Sequence, residues 1–233
     1  MSVYYQDEHV TLHLGDCLEH PEWWTGADVL VTDPPYGSQV LNGLDVNHGG
    51  YGRRQNAAGN SRHASTRNVG REGFTIANDL TTETRDAALV LWGDRPALVF
   101  GSPRMADPPI AVADRLVWDK KRPGMNGGPW RYRHESIYVT AGFVRESNAA
   151  VSIIEAWPDQ ADHIHAKPIA LMLRLIAAAP PGVIADPFAG SGSTLVAAKQ
   201  LGRYAVGVEI DERYCEIAAK RLMQDALDFG VTA

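Results

Sequence analysis

Asp33-Pro34-Pro35-Tyr36 sets a carboxylate, two rigid prolines and an aromatic ring in four consecutive positions. The apolar run before it, Ala27 to Thr32, reads as a buried strand, so the tetrad falls where a strand of an α/β sheet ends. Open α/β sheets bind ligands at that edge. The tetrad suits chemistry on an exocyclic amino nitrogen, whose lone pair is delocalised into its ring. Acceptors that hold both N–H bonds localise that lone pair. The Asp33 carboxylate is one acceptor, and the Pro34 carbonyl is a second without a competing N–H. Tyr36 offers a flat face for the ring to stack on. Taken alone, the tetrad is also compatible with a Pro-Pro turn beside a buried tyrosine.

A second string, Asp186-Pro187-Phe188-Ala189-Gly190-Ser191-Gly192-Ser193-Thr194, follows the expected strand Gly182–Ala185 and opens the expected helix Ser193–Leu201. Gly190 and Gly192 let backbone N–H groups approach a ligand, and Ser193 or Thr194 caps the helix. A helix N-terminus favours a carboxylate. The next strand ends in Glu209, an acidic residue suited to the two hydroxyls of a ribose. Dinucleotide binding is the rival reading, and a tight strand–helix turn the structural one.

Three weaker candidates accompany these strings. Lys167, in His165-Ala166-Lys167-Pro168, can pair with the carboxylate of a bound cofactor, although a surface lysine at a helix start reads the same way. Asp16, in Gly15-Asp16-Cys17, can accept from an adenine amino group or simply close a turn. Trp118-Asp119-Lys120 and Arg133-His134-Glu135 are candidates for a pocket wall, with structural roles equally open. His163 and His165 alternate in a strand-like stretch without further ligands nearby, so no metal is expected.

The elements that must position these groups follow from hydrophobic periodicity. Strands are expected at Val10–Leu14, Val29–Thr32, Ala97–Phe100, Leu116–Trp118, Ser136–Thr140, Gly182–Ala185 and Ala205–Glu209. Helices are expected at Thr82–Leu91, Pro168–Ala178, Ser193–Leu201 and Glu212–Leu227. Strands alternating with helices imply a parallel sheet covered on both faces. The 233 residues suit a single catalytic domain over 1–233. Within it lies a polar insert, 38–78, carrying Arg53, Arg54, Arg62, Arg67 and Arg71 against Asp45 and Glu72, a local net charge of +3. The whole chain carries −6, so a nucleic-acid contact has to be local. The insert's arginines are the candidates for phosphates or guanine edges, in a segment that orders on DNA; a flexible solvated loop is the alternative. Cys17 and Cys215 read as reduced packing thiols. No bilayer-length apolar run and no leader are visible, and a cytoplasmic protein is expected.

With these strings in place, the chain resembles the β-class amino-group DNA methyltransferases, which act on adenine N6 or cytosine N4. Asp33–Tyr36 matches their catalytic motif, Asp186–Thr194 their cofactor motif, and Glu209 their ribose-binding acid. His165–Pro168 departs from the usual Gln-Lys-Pro. The resemblance implies a Rossmann-like, S-adenosylmethionine-dependent fold: a seven-stranded, mostly parallel, circularly permuted sheet with the catalytic motif ahead of the cofactor motif. It places the catalytic strand beside the cofactor strand. It implies S-adenosylmethionine as cofactor, held by Asp16, Lys167, Asp186, Pro187, Phe188, Gly190, Gly192, Ser193, Thr194 and Glu209. Asp33, Pro34, Pro35 and Tyr36 become the catalytic set, acting on a base flipped out of double-stranded DNA. Asp at the first position leans towards adenine in this family, and Ser towards cytosine N4. A catalytically silent DNA-binding module is the non-enzyme alternative. A homodimer, a cognate restriction endonuclease and a bacterial or phage source accompany the resemblance, with no membrane and no metal.

Overall fold

The computed structural model describes residues 3–36, 81–121, 130–144, 151–157 and 166–228. The insert 38–78, with its five arginines, and His163 and His165 lie outside the described residues. Nine strands form one sheet in the order β1-β2-β9-β8-β3-β4-β6-β5-β7. They are β1 Val3–Gln6, β2 Val10–Leu14, β3 Val29–Thr32, β4 Ala97–Gly101, β5 Asp114–Asp119, β6 His134–Val139, β7 Ile153–Glu155, β8 Ile184–Asp186 and β9 Ala205–Glu209. Among the described residues four α-helices accompany them: α1 Glu83–Trp92, α2 Ile169–Ala177, α3 Ser193–Gln200 and α4 Glu212–Asp228. No helix among the described residues is long and apolar enough to cross a membrane.

The five central strands, β2-β9-β8-β3-β4, are mutually parallel. β3 and β4 are buried at every position, as expected of a parallel sheet covered on both faces. Side chains alternate between two cores. Val29, Val31, Leu98, Phe100 and Ile184 face one core with the apolar sides of α2, α3 and α4. Leu30, Ala97, Val99 and Ala185 face the other, against Trp24, Leu89 and Trp92. Burying each of the larger apolar side chains contributes roughly 2 kcal/mol. On the second face Arg95 stacks over Trp92 at 3.7 Å and donates to the carbonyls of Thr25 and Ala27.

The chain runs from β3 through α1 to β4 in one direction along the sheet, and from β8 through α3 to β9 in the other. The order reverses between β3 and β8, which creates a crevice at their carboxyl ends. β3 and β8 are direct neighbours, with Val29 opposite Ile184 and Leu30 opposite Ala185. The expected adjacency of the two motif-bearing strands is therefore present. The seven expected strands become nine. β1 is a largely exposed edge strand, antiparallel to β2, and its Tyr4-Tyr5 carries no apolar alternation. β7 has only three residues. β6 runs antiparallel to both β4 and β5, so its first residues reach the edge where its neighbours end.

Candidate active site

Four carboxylates mark successive strand ends along the carboxyl edge: Asp16 after β2, Glu209 on β9, Asp186 on β8 and Asp33 after β3. At the usual spacing of strands this row spans about 14 Å. Each member is held differently.

Asp33 is held by a phenol and an ammonium. Its carboxylate accepts from the Tyr36 hydroxyl and forms an ion pair with Lys167 Nζ. Lys167 also lies 3.2 Å from Glu135 Oε2, while Lys120 Nζ contacts Glu135 Oε1 at 3.0 Å. Burial pushes the Asp33 carboxyl up, Lys167 pulls it back, Glu135 pushes against it, and the outcome lies above the ordinary value. Burial also acts to raise Glu135, but Lys167 and Lys120 hold it below the usual range. Pro34 and Pro35 are buried, and the Asp33 side chain keeps 28% of its surface exposed. The cluster therefore combines an accessible carboxylate with a rigid Pro-Pro backbone and an aromatic face.

Asp186 sits one strand away in different company. Thr32 donates a hydroxyl to it at 2.7 Å, the Phe188 N–H donates at 3.1 Å, and Thr194 hydrogen-bonds as well. Burial pushes its carboxyl up to about 6 despite these donors. Its bond to Thr32 staples β8 to β3.

The loop from β8 to α3 turns back at Gly190 (φ 51°) and Gly192 (φ 81°), both left-handed. A Cβ on Gly192 would lie 2.8 Å from Ala218, so α4 closes over this turn only because the position is glycine. Gly192 is the N-cap of α3, and no side chain caps the first-turn N–H groups. Ser193 and Thr194, both buried, begin the helix instead of capping it. Arg221 of α4 buttresses the loop, donating to the Ser191 carbonyl at 2.7 Å and to both serine hydroxyls at 3.1 Å. Sequence reasoning did not single it out, because helical spacing marks it only as a polar position.

Glu209 accepts the Gly190 N–H on one carboxylate oxygen and the Asp211 N–H on the other, each at 2.8 Å. Burial pushes its carboxyl up. Asp16 accepts the Leu18 N–H at 2.8 Å, and the Gly15 N–H donates to the Glu209 carbonyl, which fixes the two strand ends together.

The structure thus places Asp16, Glu209, Asp186, Gly190, Gly192, Ser193 and Thr194 on the β2-β9-β8 side. It brings Asp33, Tyr36 and Lys167 together on the β3 side, and adds Lys120 and Glu135 to that cluster.

Solved structures with this arrangement include PvuII DNA methyltransferase (cytosine-N4-specific), with a TM-score of 0.63, 12% identity, and coverage of 97% of this chain and 93% of that one. The M1.HpyAVI–SAM complex has a TM-score of 0.59 and 20% identity, covering 91% of this chain and all of that one. At these identities the likeness is one of fold, and the fold is the Rossmann-like methyltransferase fold. The family model N6_N4_Mtase, described as DNA methylase, matches residues 144–220. YubD of Escherichia coli (strain K12), a protein named as a methylase, is 36% identical over 93% of this chain and 92% of its own length. The chain belongs to the N6/N4 DNA methylase family. Its methyl donor is S-adenosylmethionine.

The β9–β8 edge fits that donor. The space where a Gly190 Cβ would stand is open, its nearest neighbour being the Phe188 carbonyl at 3.9 Å. Each Glu209 oxygen retains a second lone pair for a hydroxyl. The uncapped first turn of α3 favours an anionic group.

Proposed function

We propose that this protein transfers a methyl group to adenine N6 of a base flipped out of double-stranded DNA. The observation that carries the reading is the position of Asp33, Pro34 and Tyr36 at the topological switch point, one strand from the glycine turn. Glu209 would hold the ribose hydroxyls of the cofactor, and Asp16 its adenine. Asp186, Pro187, Phe188, Gly190, Gly192, Ser193 and Thr194 would shape the turn around it. When bound, the cofactor supplies an electrophilic methyl group on a sulfonium.

The chain's own residues do the rest. Asp33 and the Pro34 carbonyl accept the two N–H bonds of the target amino group and turn its lone pair out of conjugation. Pro35 fixes the backbone so that the Pro34 carbonyl stays aimed. Tyr36 stacks on the ring. A paired base buries that amino group in the duplex, so the base has to leave the stack, at a cost of a few kcal/mol. Stacking on Tyr36 offsets part of that cost. Within residues 38–78, Arg53, Arg54, Arg62, Arg67 and Arg71 would contact the DNA. A cognate endonuclease and self-association belong to the same proposal.

Cytosine N4 is the rival target, because it presents the same amino-group geometry. Asp33 at the first motif position favours adenine. The test is a nucleoside digest, by mass spectrometry, of unmethylated DNA incubated with protein and S-adenosylmethionine. N6-methyladenine is the expected product. N4-methylcytosine would overturn the base assignment and keep the mechanism. Neither product, with cofactor binding demonstrated, would overturn DNA as the substrate.

A further inference from the structure

Lys167 lies in a row of alternating charge: Asp33, Lys167, Glu135, Lys120. The four formal charges sum to zero. Three rings surround the Lys167 ammonium, with Nζ 5.0 Å from the centroid of Phe100 and 5.8 Å from those of Tyr36 and Trp118. Its side chain is only 9% exposed. An ammonium buried to this extent is stable only with its counter-charges in place. The partners here are two carboxylates on the β3–β6 side, away from the β9 end of the edge.

We propose that Lys167 is a positioning residue for the Asp33 carboxylate, held in place by Glu135, and that it does not serve the cofactor's carboxylate. This inference rests on the reading of Asp33 as the acceptor for the target amino group. Asp33 has to be anionic and correctly turned, since a protonated acid presents an O–H where the amine needs a lone pair. The groups facing it are Tyr36 on its own segment, Lys167 ahead of α2, Glu135 on β6 and Asp186 on β8. Only Lys167 among them is a cation. Without Lys167, burial and the repulsion of Glu135 and Asp186 all act to protonate Asp33. Glu135, pinned by Lys120 on its other oxygen, keeps Lys167 from turning away.

The test is the single-turnover rate of methyl transfer as a function of pH, paired with calorimetric binding of S-adenosylmethionine. Lys167→Met is expected to lower the rate at neutral pH at least about tenfold and to move the acid limb up by about one pH unit or more. Its affinity for S-adenosylmethionine should stay within about twofold of wild type, since no contact to the cofactor is removed. Lys167→Arg keeps the charge and should keep the acid limb in place. The double variant K167M/E135Q should bring the limb part of the way back, because the repulsion of Glu135 is gone. If an unpaired Glu135 keeps K167M from folding, the limb of K167M/E135Q against that of E135Q reads the same shift. Loss of cofactor affinity with an unmoved acid limb would overturn the proposal and return Lys167 to the cofactor. Asp33→Asn, measured in parallel, separates the two readings: full activity there would sink the role of Asp33 itself.

Discussion

Asp33 and Asp186 end neighbouring parallel strands, and burial raises both carboxyls, yet different partners hold them. Asp186 is 2% exposed and is held by two hydroxyls and an amide, with no cation in contact among the described residues. Asp33 keeps more than a quarter of its side chain exposed and is held by an ammonium and a phenol. Neutral donors satisfy a buried carboxyl without fixing its charge, so the ionised form stays costly. An ammonium stabilises the ionised form directly. The first arrangement suits a group that joins two strands. The second suits a group that must meet a substrate as an anion.

The contrast predicts different failures when each is truncated. Asp33→Ala removes the proposed acceptor of the target amino group and is expected to lower the transfer rate about 10³-fold or more, with cofactor affinity retained. Rapid-quench kinetics with a parallel binding isotherm would check both halves. Loss of cofactor binding in a folded Asp33→Ala protein would break the division between the two strand ends. Asp186→Ala leaves the Thr32 and Thr194 hydroxyls and the Phe188 N–H without their acceptor. It should therefore destabilise the fold by about 3 kcal/mol, read from urea denaturation.

Proton linkage sharpens the same comparison. Burial holds the Asp186 carboxyl at about 6 in the folded protein, above the ordinary 3.8. A raised folded value contributes stability that is complete below about 3.8 and is lost as pH rises through 6. The loss amounts to about 3 kcal/mol. Asp186→Asn has no proton to lose there, so its stability should hold level over this window while wild type declines. Parallel slopes for the two proteins would show that the hydroxyl donors already stabilise the anion fully.

Much of this architecture is legible in the sequence, and what is not has a physical cause. β2, β3 and β9 match their expected ranges: β3 is an apolar run buried at every position, and β2 alternates buried Val10 and Leu12 with polar Thr11 and His13. The ends of α1, α2, α3 and α4 fall within one residue of expectation. β1 was hidden by its exposed edge position, and β7 by its length. The adjacency of β3 and β8 depends on strand order, which periodicity does not encode; it came from the resemblance. Lys120 and Glu135 were legible only as pocket-wall candidates. The meeting of Glu135 with Lys167 and Lys120 depends on β6 running antiparallel, which turns Glu135 towards the edge where β5 delivers Lys120. Lys167 reads as a candidate cofactor ligand because its place before a helix is visible in the sequence, while its contacts with Asp33 and Glu135 join residues distant in the chain.

A third carboxylate offers a control for the role of the partner. Asp7, at the β1–β2 turn, accepts from Lys199 Nζ at 2.5 Å, from the Tyr5 hydroxyl at 2.7 Å, and from the His9 and Val10 N–H groups at 2.9 and 2.8 Å. Burial acts to raise it, but these donors, Lys199 foremost, bring it down to about 2. The linkage therefore has the opposite sign to that of Asp186. Its stability is present above 3.8 and is lost as pH falls through 2. With 23% of the side chain exposed, solvent screening limits the contribution of Lys199 to about 1 kcal/mol or less. Lys199→Met is expected to shift the Asp7 carboxyl upward in an NMR titration, with that small loss of stability. If its titration does not move, the turn's own N–H groups hold the charge and a cationic partner is dispensable. The difference between Asp33 and Asp186 would then rest on burial alone, and Lys167→Met would leave the acid limb of catalysis where it stands.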